Sequence, residues 1–441
     1  MRYVMVGSGV ASIAAAEAIR SLDPTGDLLV VGDEIAGYYS RPGLAYYLNG
    51  ELPEKYLYPV DDGFFRRLNI HRLQAKAVLV NTQQHQLVLA DGRMLPYDRL
   101  MIATGAEAAR PNVPGLELDG VFKLDNLEDA RSIIAYVRRA RHAIVVGGGI
   151  TALEIVEGLS ARGMKVTYFL RGDRYWSNVL DESESIIVER RLKQQGVNIL
   201  YHTELGEIIG NKNRVVGVHT TDGRAIRCDM LAVAIGIRPR LELARASGLQ
   251  VDRGIVVNEY MQTNSPDVYA AGDVAQVYDP LSGKYVLDSL WGPAREQGTA
   301  AGLNMAGKQT AYIKWVPFNV TRLADLTTTI IGTLGRGVDA DLVGIARGDS
   351  ETWRQLPDAI VAQSHFDVNS LRLMLGERTI LGALLMGDQT LSRPLLHLVR
   401  NCVDISTIRD QLLMPDAHLA DILAEFYTLQ VRGNANTTQQ P

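Results

Sequence analysis

Two short glycine-rich segments have the residue spacing that binds a pyrophosphate. They are Gly7-x-Gly9-x-x-Ser12 and Gly147-x-Gly149-x-x-Ala152. In such a segment the first glycine permits a tight turn, the second lets the backbone approach the phosphates, and the small third residue lets a helix pack closely on a strand. The free N–H groups at the start of that helix attract the anion. Two copies in one chain predict two bound dinucleotides.

Charged residues follow each segment at the place where a ribose would bind. Asp33 and Glu34 come just after the second strand of the first segment, where a carboxylate can accept hydrogen bonds from a ribose. The matching place in the second segment is Leu170, followed by Arg171 and, nearby, Arg174. An arginine there pairs with a 2′-phosphate, so the sequence favours NADPH over NADH. The alternative is that both arginines are solvated loop charges.

Strands and helices must hold these glycines in place. The first segment lies within Tyr3–Val31, with an alanine-rich helix from Ala11 to Arg20, and the second within Ala143–Leu170, with a helix near Thr151–Arg162. Both stretches have the length of a βαβ unit, and their continuous apolar strands predict parallel sheets covered by helices. We predict an α/β fold with two Rossmann-like domains, followed by a C-terminal α+β domain. Asp91-Gly92 and Asp222-Gly223 predict β-hairpins.

Composition narrows the function classes. The chain of 441 residues has a net charge of −5, which gives no electrostatic reason to expect nucleic acid or anionic membrane as a partner. No apolar run is long enough to span a bilayer, and the first residues lack the features of a signal peptide. The two cysteines are far apart and the histidines show no metal-ligand spacing. We therefore expect a cytoplasmic protein with no metal site.

Three further motifs identify a resemblance. Ala103-Thr104-Gly105, the A-I-G-x-R-P strand end that contains Gly236, and the Y-A-x-G-D motif that ends in Gly272-Asp273 follow one another in the chain. With the two glycine segments they resemble the flavoprotein pyridine-nucleotide oxidoreductases that include glutathione reductase-like enzymes. The resemblance extends from residue 1 to about residue 310. It implies FAD at Gly7–Ser12, NADPH or NADH at Gly147–Ala152, and Asp273 on the flavin's ribityl or pyrophosphate region. It implies further cofactor contacts at Ala77, Ala103, Thr104, Gly105, Gly236 and Gly272.

The resemblance also implies a domain division. An FAD-binding domain is expected from residues 1–112 and 246–310, and an NAD(P)-binding domain from 113–245. Residues 311–432 are expected to form the C-terminal domain, which often forms a dimer interface in relatives, so we expect a homodimer. The polar residues 433–441 are predicted to be disordered.

The redox cysteines of this superfamily are missing. The disulfide reductases carry a cysteine pair in the first domain, and the single-cysteine oxidases and peroxidases have a pattern like S-C-G-I-A-L-Y-L-G. Here Pro42 stands at the cysteine position, after Arg41, so no thiolate is available there. Arg41-Pro42 instead resembles the R-P-P-L-S-K stretch of ferredoxin and rubredoxin reductases, although Tyr46 replaces its lysine. A similar arginine-bearing, lysine-free loop occurs in the flavin module of nitrite reductase large subunits. The segment Gly382–Asp388 also resembles that module, but the iron–sulfur and sirohaem regions of those subunits are absent from this sequence.

Two more side chains are candidates for the reaction site. Leu290–Gly298 resembles the tryptophan-containing segment of the ferredoxin reductases, which implies that Trp291 lies beside flavin and nicotinamide. The alternative is core packing. Glu154 occupies the position of the family's G-L-E glutamate, near the nicotinamide in relatives, with a helix salt bridge as the alternative. Arg41, Pro42, Glu154 and Trp291 are therefore the predicted catalytic residues.

The predicted reaction is hydride transfer from NAD(P)H to FAD, followed by release of electrons to an external acceptor. A flavin accepts two electrons and can release them singly, so a small redox protein such as a ferredoxin or rubredoxin is the favoured acceptor. The alternatives are a flavin module for a nitrite-reductase-like partner and an oxidase that passes electrons to oxygen. A protein of another class, a flavin-binding redox sensor without turnover, also fits the motifs.

Overall fold

The computed structural model describes residues 1–280, 282–332, 334, 360–366, 369–415 and 417–437. The chain divides into two compact units. Unit 1 comprises Met1–Asp173 and Gln195–Lys314, and unit 2 comprises Arg174–Gln194 and the described residues from Trp315 onward. Each unit has its own sheets and its own apolar core.

The strands of unit 1 form two parallel sheets and several small ones. In chain order they are β1 (Arg2–Val6), β2 (Asp27–Gly32), β3 (Ile70–Gln74), β4 (Ala77–Asn81), β5 (Gln86–Leu89), β6 (Met94–Pro96), β7 (Arg99–Ile102), β8 (Ala106–Ala108), β9 (Val121–Phe122), β10 (His142–Val146), β11 (Lys165–Phe169), β12 (Asn198–Leu200), β13 (Leu205–Asn211), β14 (Arg214–Thr220), β15 (Ala225–Arg227), β16 (Met230–Val233), β17 (Ile237–Pro239), β18 (Ile255–Val256), β19 (Val268–Ala270), β20 (Ala275–Asp279) and β21 (Lys284–Leu287).

The helices of unit 1 cover these sheets. They are α1 (Val10–Leu22), α2 (Gly43–Asn49), α3 (Asp62–Arg67), α4 (Leu127–Val137), α5 (Ile150–Ala161), α7 (Glu242–Ala246) and α8 (Trp291–Met305), with a 3₁₀ turn at Glu54–Leu57. The remaining elements belong to unit 2: α6 (Glu182–Gln194), β22 (Phe318–Leu323), β23 (Leu326–Gly332), β24 (Ile360–Phe366), β25 (Asn369–Leu375), β26 (Ile380–Met386), α9 (Ser392–Arg400), α10 (Arg409–Leu412) and α11 (Leu419–Thr437).

Each glycine segment lies between a strand of a parallel sheet and the helix that follows this strand, as predicted. The first sheet has the strand order β19-β7-β1-β2-β3 and the second has the order β12-β11-β10-β16-β9. All strand pairs in both sheets are parallel. In each sheet the glycine turn leaves the central strand, β1 or β10. The α/β fold with two Rossmann-like sheets is confirmed.

The small sheets of unit 1 include the predicted hairpins. Asp222-Gly223 joins β14 to β15, and Asp91-Gly92 joins β5 to β6. Gly223 and Gly92 both have a positive φ of 87°, which explains why glycine occupies these turns.

Helix α1 packs very closely on helix α8. A Cβ atom on Gly298 would lie 2.2 Å from the carbonyl oxygen of Ala11, and one on Gly302 would lie 2.4 Å from that of Ala15. These distances are shorter than any normal contact, so α8 needs glycine at both positions. This packing fixes the N-terminus of α1 against α8, and with it the position of the first glycine turn in unit 1.

Unit 2 has an antiparallel sheet with the strand order β22-β23-β26-β25-β24, which agrees with the predicted α+β character of the C-terminal region. Its core contains Leu373, Leu385, Leu395, Leu398 and Leu423. Arg372 on β25 forms a buried ion pair with Glu184 on α6 at 2.9 Å and donates to the Val179 carbonyl oxygen at 2.6 Å.

Two parts of the chain differ from the domain limits expected from sequence. Arg174–Gln194 was expected in the NAD(P)-binding domain, but it is part of unit 2, where the Arg372–Glu184 pair ties α6 to β25. The predicted disorder of residues 433–441 is wrong for Gly433–Thr437, because α11 continues to Thr437. Extending an existing helix fixes one residue for each hydrogen bond gained, so a polar sequence can continue it. Residues 438–441 lie outside the described residues.

Candidate functional site

A cavity of about 380 Å³ opens in unit 1 at the carboxyl ends of β1, β2 and β7. The strand order reverses at β1, since β2 and β3 follow on one side and β7 and β19 on the other. Such a reversal leaves a crevice where dinucleotides bind. The lining residues are Val6, Gly7, Ser8, Gly9, Val31, Gly32, Asp33, Glu34, Arg41, Leu44, Ala75, Lys76, Ala77, Ala103, Thr104, Gly105, Ala106, Leu124, Asp125, Thr151, Glu154, Ile237, Arg240, Glu242, Leu243 and Asp273.

The first glycine turn forms one wall of this cavity. Gly7 has φ +116°, and a Cβ atom on it would lie 2.0 Å from the Ala103 carbonyl oxygen, so both backbone and space exclude a side chain. A Cβ on Gly9 would meet no protein atom within 4 Å. Ser12 is fully buried under the turn. Gly9 therefore presents its backbone to open space at the start of helix α1, as a pyrophosphate site requires.

The second glycine turn repeats this geometry outside the cavity. Gly147 has φ +145°, and a Cβ on it would lie 2.1 Å from the Ala234 carbonyl oxygen, whereas Gly149 again faces open space. Ala152 is fully buried beneath the turn. Two residues of helix α5, which follows this turn, line the cavity: Thr151 and Glu154. The second turn therefore has the same shape as the first, and the helix that follows it also lines the cavity.

Two arginines are held on the cavity wall by acidic and carbonyl oxygens. Arg41 pairs with Glu34, which also accepts a hydrogen bond from the Tyr39 hydroxyl at 2.9 Å. Arg41 donates to the Asp125 carbonyl oxygen, and Arg240 donates to the Asp125 carboxylate at 2.8 Å. The Arg240 Nε atom is buried and has no hydrogen-bond partner among the described residues. A bound anion or flavin oxygen would supply the missing acceptor.

Asp273, at the end of the Y-A-x-G-D motif, also lines the cavity. Burial raises the pKa of its carboxyl to about 6, Arg41 opposes this rise and Asp288 adds to it. The preceding residue, Gly272, has φ +77° and donates its N–H to the Gln297 side chain at 2.8 Å. Asp273 is therefore mostly ionised at neutral pH and can accept hydrogen bonds from a polar ligand.

Glu154 projects from helix α5 into the same cavity. It makes no hydrogen bond or ion pair with any described residue, so the helix salt bridge considered above is absent from this part of the chain. Burial, with a smaller effect of Glu157, raises the pKa of Glu154 to about 8. A carboxyl with this pKa is mainly protonated at neutral pH.

The other candidates lie away from the cavity lining. Pro42 is the residue before helix α2 and does not line the cavity, whereas its neighbour Arg41 does. Trp291 begins helix α8 and is 47% exposed, so the alternative of core packing is wrong, and its ring lies 6.0 Å from the Arg295 guanidinium. Arg171 and Arg174 follow the buried Leu170 and do not line this cavity. Gly236 has φ +119° and precedes β17.

Several lining residues were not anticipated from the sequence. Lys76, Asp125, Arg240 and Glu242 belong to no motif considered above, although Arg240 directly follows the A-I-G-x-R-P strand end. Of the two cysteines, Cys228 is buried and Cys402 is exposed, and neither lines the cavity. Within the described residues no group of three or more histidine, cysteine or acidic side chains could hold a metal ion. No helix in that part of the chain is long and apolar enough to cross a membrane.

The sequence profile of the pyridine nucleotide-disulphide oxidoreductases matches residues 1–298. The chain belongs to this family. Membership confirms the expected cofactors, FAD and NAD(P)H, and the expected class of FAD-dependent NAD(P)H oxidoreductase. The two glycine turns fit that pair of cofactors, as does the cavity, where the buried Arg240 Nε has no partner in the described part of the chain.

Relatives in this family pass electrons to different acceptors. An NADH oxidase of Methanocaldococcus jannaschii is 32% identical over 336 residues, which cover 74% of this chain and 75% of the relative. A nitrite reductase [NAD(P)H] of Bacillus subtilis is 28% identical over 417 residues, 94% of this chain but 49% of the relative. The similar sequences therefore support the flavoprotein chemistry and leave the acceptor open.

A solved structure with the same fold contains a reductase together with its redox partner. It is the covalent putidaredoxin reductase–putidaredoxin complex, which matches with a TM-score of 0.83 and 25% identity over 96% of this chain and 98% of that chain. The match extends over nearly the whole of both chains and confirms the fold class.

Proposed function

We propose that this oxidoreductase moves a hydride from NAD(P)H to FAD in the cavity and passes the electrons to a small electron-carrier protein. The observation that carries the proposal is the cysteine-free lining of the cavity, which includes Arg41. The next residue, Pro42, stands at the sequence position of the cysteine in the single-cysteine oxidases and peroxidases. Without a thiol beside the flavin, electrons cannot leave through a disulfide and must pass to an external acceptor. The likeness to a reductase solved with putidaredoxin supports a protein acceptor.

The chain's own residues bind and orient the cofactor. FAD, when bound, supplies the hydride acceptor and the one-electron donor. The Gly7–Ser12 turn and the N-terminus of α1 would hold its pyrophosphate, and Glu34 would accept hydrogen bonds from its ribose. Arg41 and Arg240 place positive charge on the cavity wall, and Asp273 would accept hydrogen bonds from the ribityl or pyrophosphate region. The remaining predicted contacts, from Ala77 and Ala103–Gly105, complete the lining.

Glu154 is proposed to exchange a proton at the nicotinamide side of the flavin. It extends from the helix that follows the second glycine turn, so it joins the two dinucleotide sites. Its carboxyl has no hydrogen-bond or ion-pair partner among the described residues, and this and its raised pKa suit the role. Trp291 is proposed to contact the incoming acceptor or the nicotinamide, since it is half exposed and belongs to the same helix as Gln297.

Arg171 is proposed to select NADPH by pairing with the 2′-phosphate. The other predicted arginine, Arg174, belongs to unit 2. Arg171→Glu should then lower the rate of flavin reduction by NADPH at least about tenfold, and change the rate with NADH little, because a charged hydrogen bond of roughly 1.5–3 kcal/mol is lost. Rapid anaerobic mixing with each nucleotide measures both rates. Faster bleaching of the wild-type flavin by NADH than by NADPH would contradict the preference.

Two measurements test the overall proposal. Anaerobic mixing with NAD(P)H should bleach the flavin absorption, and failure with both nucleotides would favour a redox sensor without turnover. Steady-state assays should then show reduction of a ferredoxin or rubredoxin faster than oxygen consumption. Rapid oxygen consumption without carrier reduction would instead identify an oxidase, the activity named for the relative from M. jannaschii.

A nitrite-reductase-type electron module is the second candidate. The B. subtilis nitrite reductase matches 94% of this chain, whereas the M. jannaschii NADH oxidase matches 74%. In that case the acceptor would be a separate partner protein that carries the nitrite-reducing centre. Co-purification of such a partner, with nitrite-dependent NAD(P)H oxidation by the mixture alone, would favour this candidate.

A further inference from the structure

One face of helix α5 has two different surroundings along its length. Near the start of the helix, Thr151 and Glu154 line the cavity. Gly158 and Arg162 follow Glu154 by four and eight residues, a spacing that places them on the same face. At 1.5 Å per residue, Arg162 lies about 12 Å further along the helix axis than Glu154. Gly158 and Arg162 belong to no motif discussed above and do not line the cavity.

The far end of this face is joined to helix α2 by an arginine. Arg162 donates from Nε to the Leu48 carbonyl oxygen at 2.6 Å and from Nη2 to the Tyr47 carbonyl oxygen at 3.1 Å. Both carbonyl groups belong to the last turn of α2, where a helix lacks N–H donors of its own. A cation at this end also interacts favourably with the helix dipole. Arg162 therefore caps α2 from a neighbouring helix.

A glycine lets the two helices approach each other at the same place. A Cβ atom on Gly158 would lie 2.6 Å from Leu48 Cγ and 3.0 Å from its Cδ2, and Leu48 is fully buried. A methyl group at position 158 would therefore push α2 away from α5. Gly158 accommodates the Leu48 side chain and Arg162 binds the Leu48 backbone, so α2 has a defined place on α5.

The other end of α2 forms part of the cavity wall. The Arg41 carbonyl oxygen accepts the N–H of Leu44 at 3.0 Å, so Arg41 belongs to the first turn of this helix. Both Arg41 and Leu44 line the cavity. Helices α2 and α5 thus each have one end at the cavity, and they are joined at their other ends through Arg162.

A second contact holds α2 from another side. The Tyr47 hydroxyl donates to Glu54 at 2.9 Å, and Glu54 accepts a hydrogen bond from Arg131 Nε of helix α4 at 3.1 Å. No residue of α4 lines the cavity, whereas α5 contributes two. The link through Arg162 is therefore the one that relates the Arg41 end of α2 to the Glu154 end of α5.

We propose that Arg162 is a positioning residue of the flavin cavity, because by capping α2 it keeps Arg41 and Glu154 in a fixed relation on the cavity wall. This inference rests on the proposed function, which places hydride transfer in this cavity. The rate of such a transfer depends on how closely the reacting groups are held in their productive geometry. Both glycine turns lie away from Arg162, so its loss should affect the transfer rate more than the binding of either dinucleotide.

The first test separates binding from transfer in the FAD-loaded protein. Rapid anaerobic mixing with increasing NADPH or NADH gives the dissociation constant of the nucleotide and the limiting rate of flavin reduction. Arg162→Met should lower the limiting rate by about tenfold or more and leave the dissociation constant nearly unchanged. Arg162→Lys, which can still donate to one carbonyl oxygen, should recover part of the rate. Gly158→Ala, which displaces Leu48 but retains Arg162, should lower the limiting rate as well.

A matched control is another arginine of unit 1 that binds backbone carbonyl groups. Arg20, near the end of α1, donates to the carbonyl oxygens of Leu68 at 2.7 Å and Asp23 at 2.8 Å. Arg20→Met removes comparable hydrogen bonds at a place that does not line the cavity, so it should keep the wild-type limiting rate. An equal loss of rate in Arg20→Met and Arg162→Met would reflect general destabilisation and would overturn the proposal.

A second readout does not depend on reduction by NAD(P)H. Hydrogen exchange of the FAD-loaded protein should be faster in α2 by about tenfold or more in Arg162→Met, because hydrogen bonds from a charged group are lost. The circular dichroism of the bound flavin should change in the same variant and stay unchanged in Arg20→Met. Both measurements remain informative if neither nucleotide reduces the wild-type flavin, a result that would reject the proposed function. Unchanged exchange in α2 would show that Arg162 does not hold this helix. Faster exchange with an unchanged limiting rate and flavin signal would assign it a role in stability alone.

Discussion

Gly7 and Gly9 occupy one turn, but a methyl group has different consequences at each. At Gly7 it would meet the Ala103 carbonyl oxygen and sit on a backbone with φ +116°, whereas at Gly9, with φ −79°, it would meet only open cavity. The first residue is required by the fold and the second by the ligand. One motif therefore contains both a residue that the fold requires and a residue that we propose the ligand requires.

Gly7→Ala should destabilise the protein by at least about 1–3 kcal/mol, because of the strained backbone and the clash with Ala103. Gly9→Ala should leave the unfolding free energy of the apoprotein nearly unchanged but weaken FAD binding by about tenfold or more, since the methyl group would displace the phosphates. Urea unfolding of the apoproteins and flavin titration measure the two effects. Equal stability losses in both variants would contradict this separation.

Glu154 allows a second prediction for a single residue. Since its pKa is raised to about 8, the rate of flavin reduction by NAD(P)H should change as the pH passes through about 8, and Glu154→Gln should remove that transition. Glu157→Gln on the same helix is the control. It removes a neighbouring negative charge, so it should move the transition to lower pH without abolishing it. A transition unchanged in Glu154→Gln would exclude this carboxyl.

At the scale of elements, the contact between α1 and α8 positions the first cofactor site. Gly298 and Gly302 let the two helices approach until the α8 backbone touches the carbonyl groups of Ala11 and Ala15. Glycine inside a helix normally lowers stability by about 1 kcal/mol relative to alanine, so intrinsic propensity alone would favour alanine at both positions. The close approach outweighs that preference.

Gly298→Ala should therefore destabilise unit 1, by roughly 1–3 kcal/mol, because the helices must separate to accept the methyl group. Gly292→Ala is the matched control on the same helix, since a Cβ there would meet no atom within 4 Å, and it should be neutral or slightly stabilising. Denaturant unfolding of both variants gives the comparison. Stabilisation by both substitutions would show that the helices are not in close contact.

Local sequence explains which elements could be predicted. The glycine segments and the Asp-Gly hairpins were found because a positive φ or a close approach requires a particular residue at that position. Asp125, Arg240 and Lys76 could not be found in this way, since they come from separate parts of the chain and meet only in the folded cavity. The same holds for Arg174–Gln194, whose place in unit 2 depends on the distant Arg372.

At the scale of the whole molecule, the expected homodimer stays a prediction. Strand β22 is the edge strand of the unit 2 sheet, and its Phe318 and Val320 side chains are 38% and 51% exposed. They lie two positions apart and so share one face of the strand. An exposed apolar edge strand is a site for pairing with another chain.

Val320→Lys should convert the dimer to a monomer, since a charge would be buried in the contact. Val78→Lys, which changes an exposed valine on a strand of unit 1, is the control and should leave the dimer intact. Light scattering after size-exclusion chromatography gives the mass directly. A wild-type monomer, or a dimer that persists in both variants, would contradict the prediction.

The cavity also has a consequence for the lifetime of the protein in a cell. Among the described residues the buried Arg240 Nε has no hydrogen-bond partner, and Gly9 presents open backbone, so FAD bound at these atoms would stabilise the native state by mass action. At a free FAD concentration of 100 times the dissociation constant this amounts to about 2.7 kcal/mol. When flavin is scarce, a larger fraction of newly made chains is open to proteases. Riboflavin supply would thus set the amount of this protein as well as the active fraction.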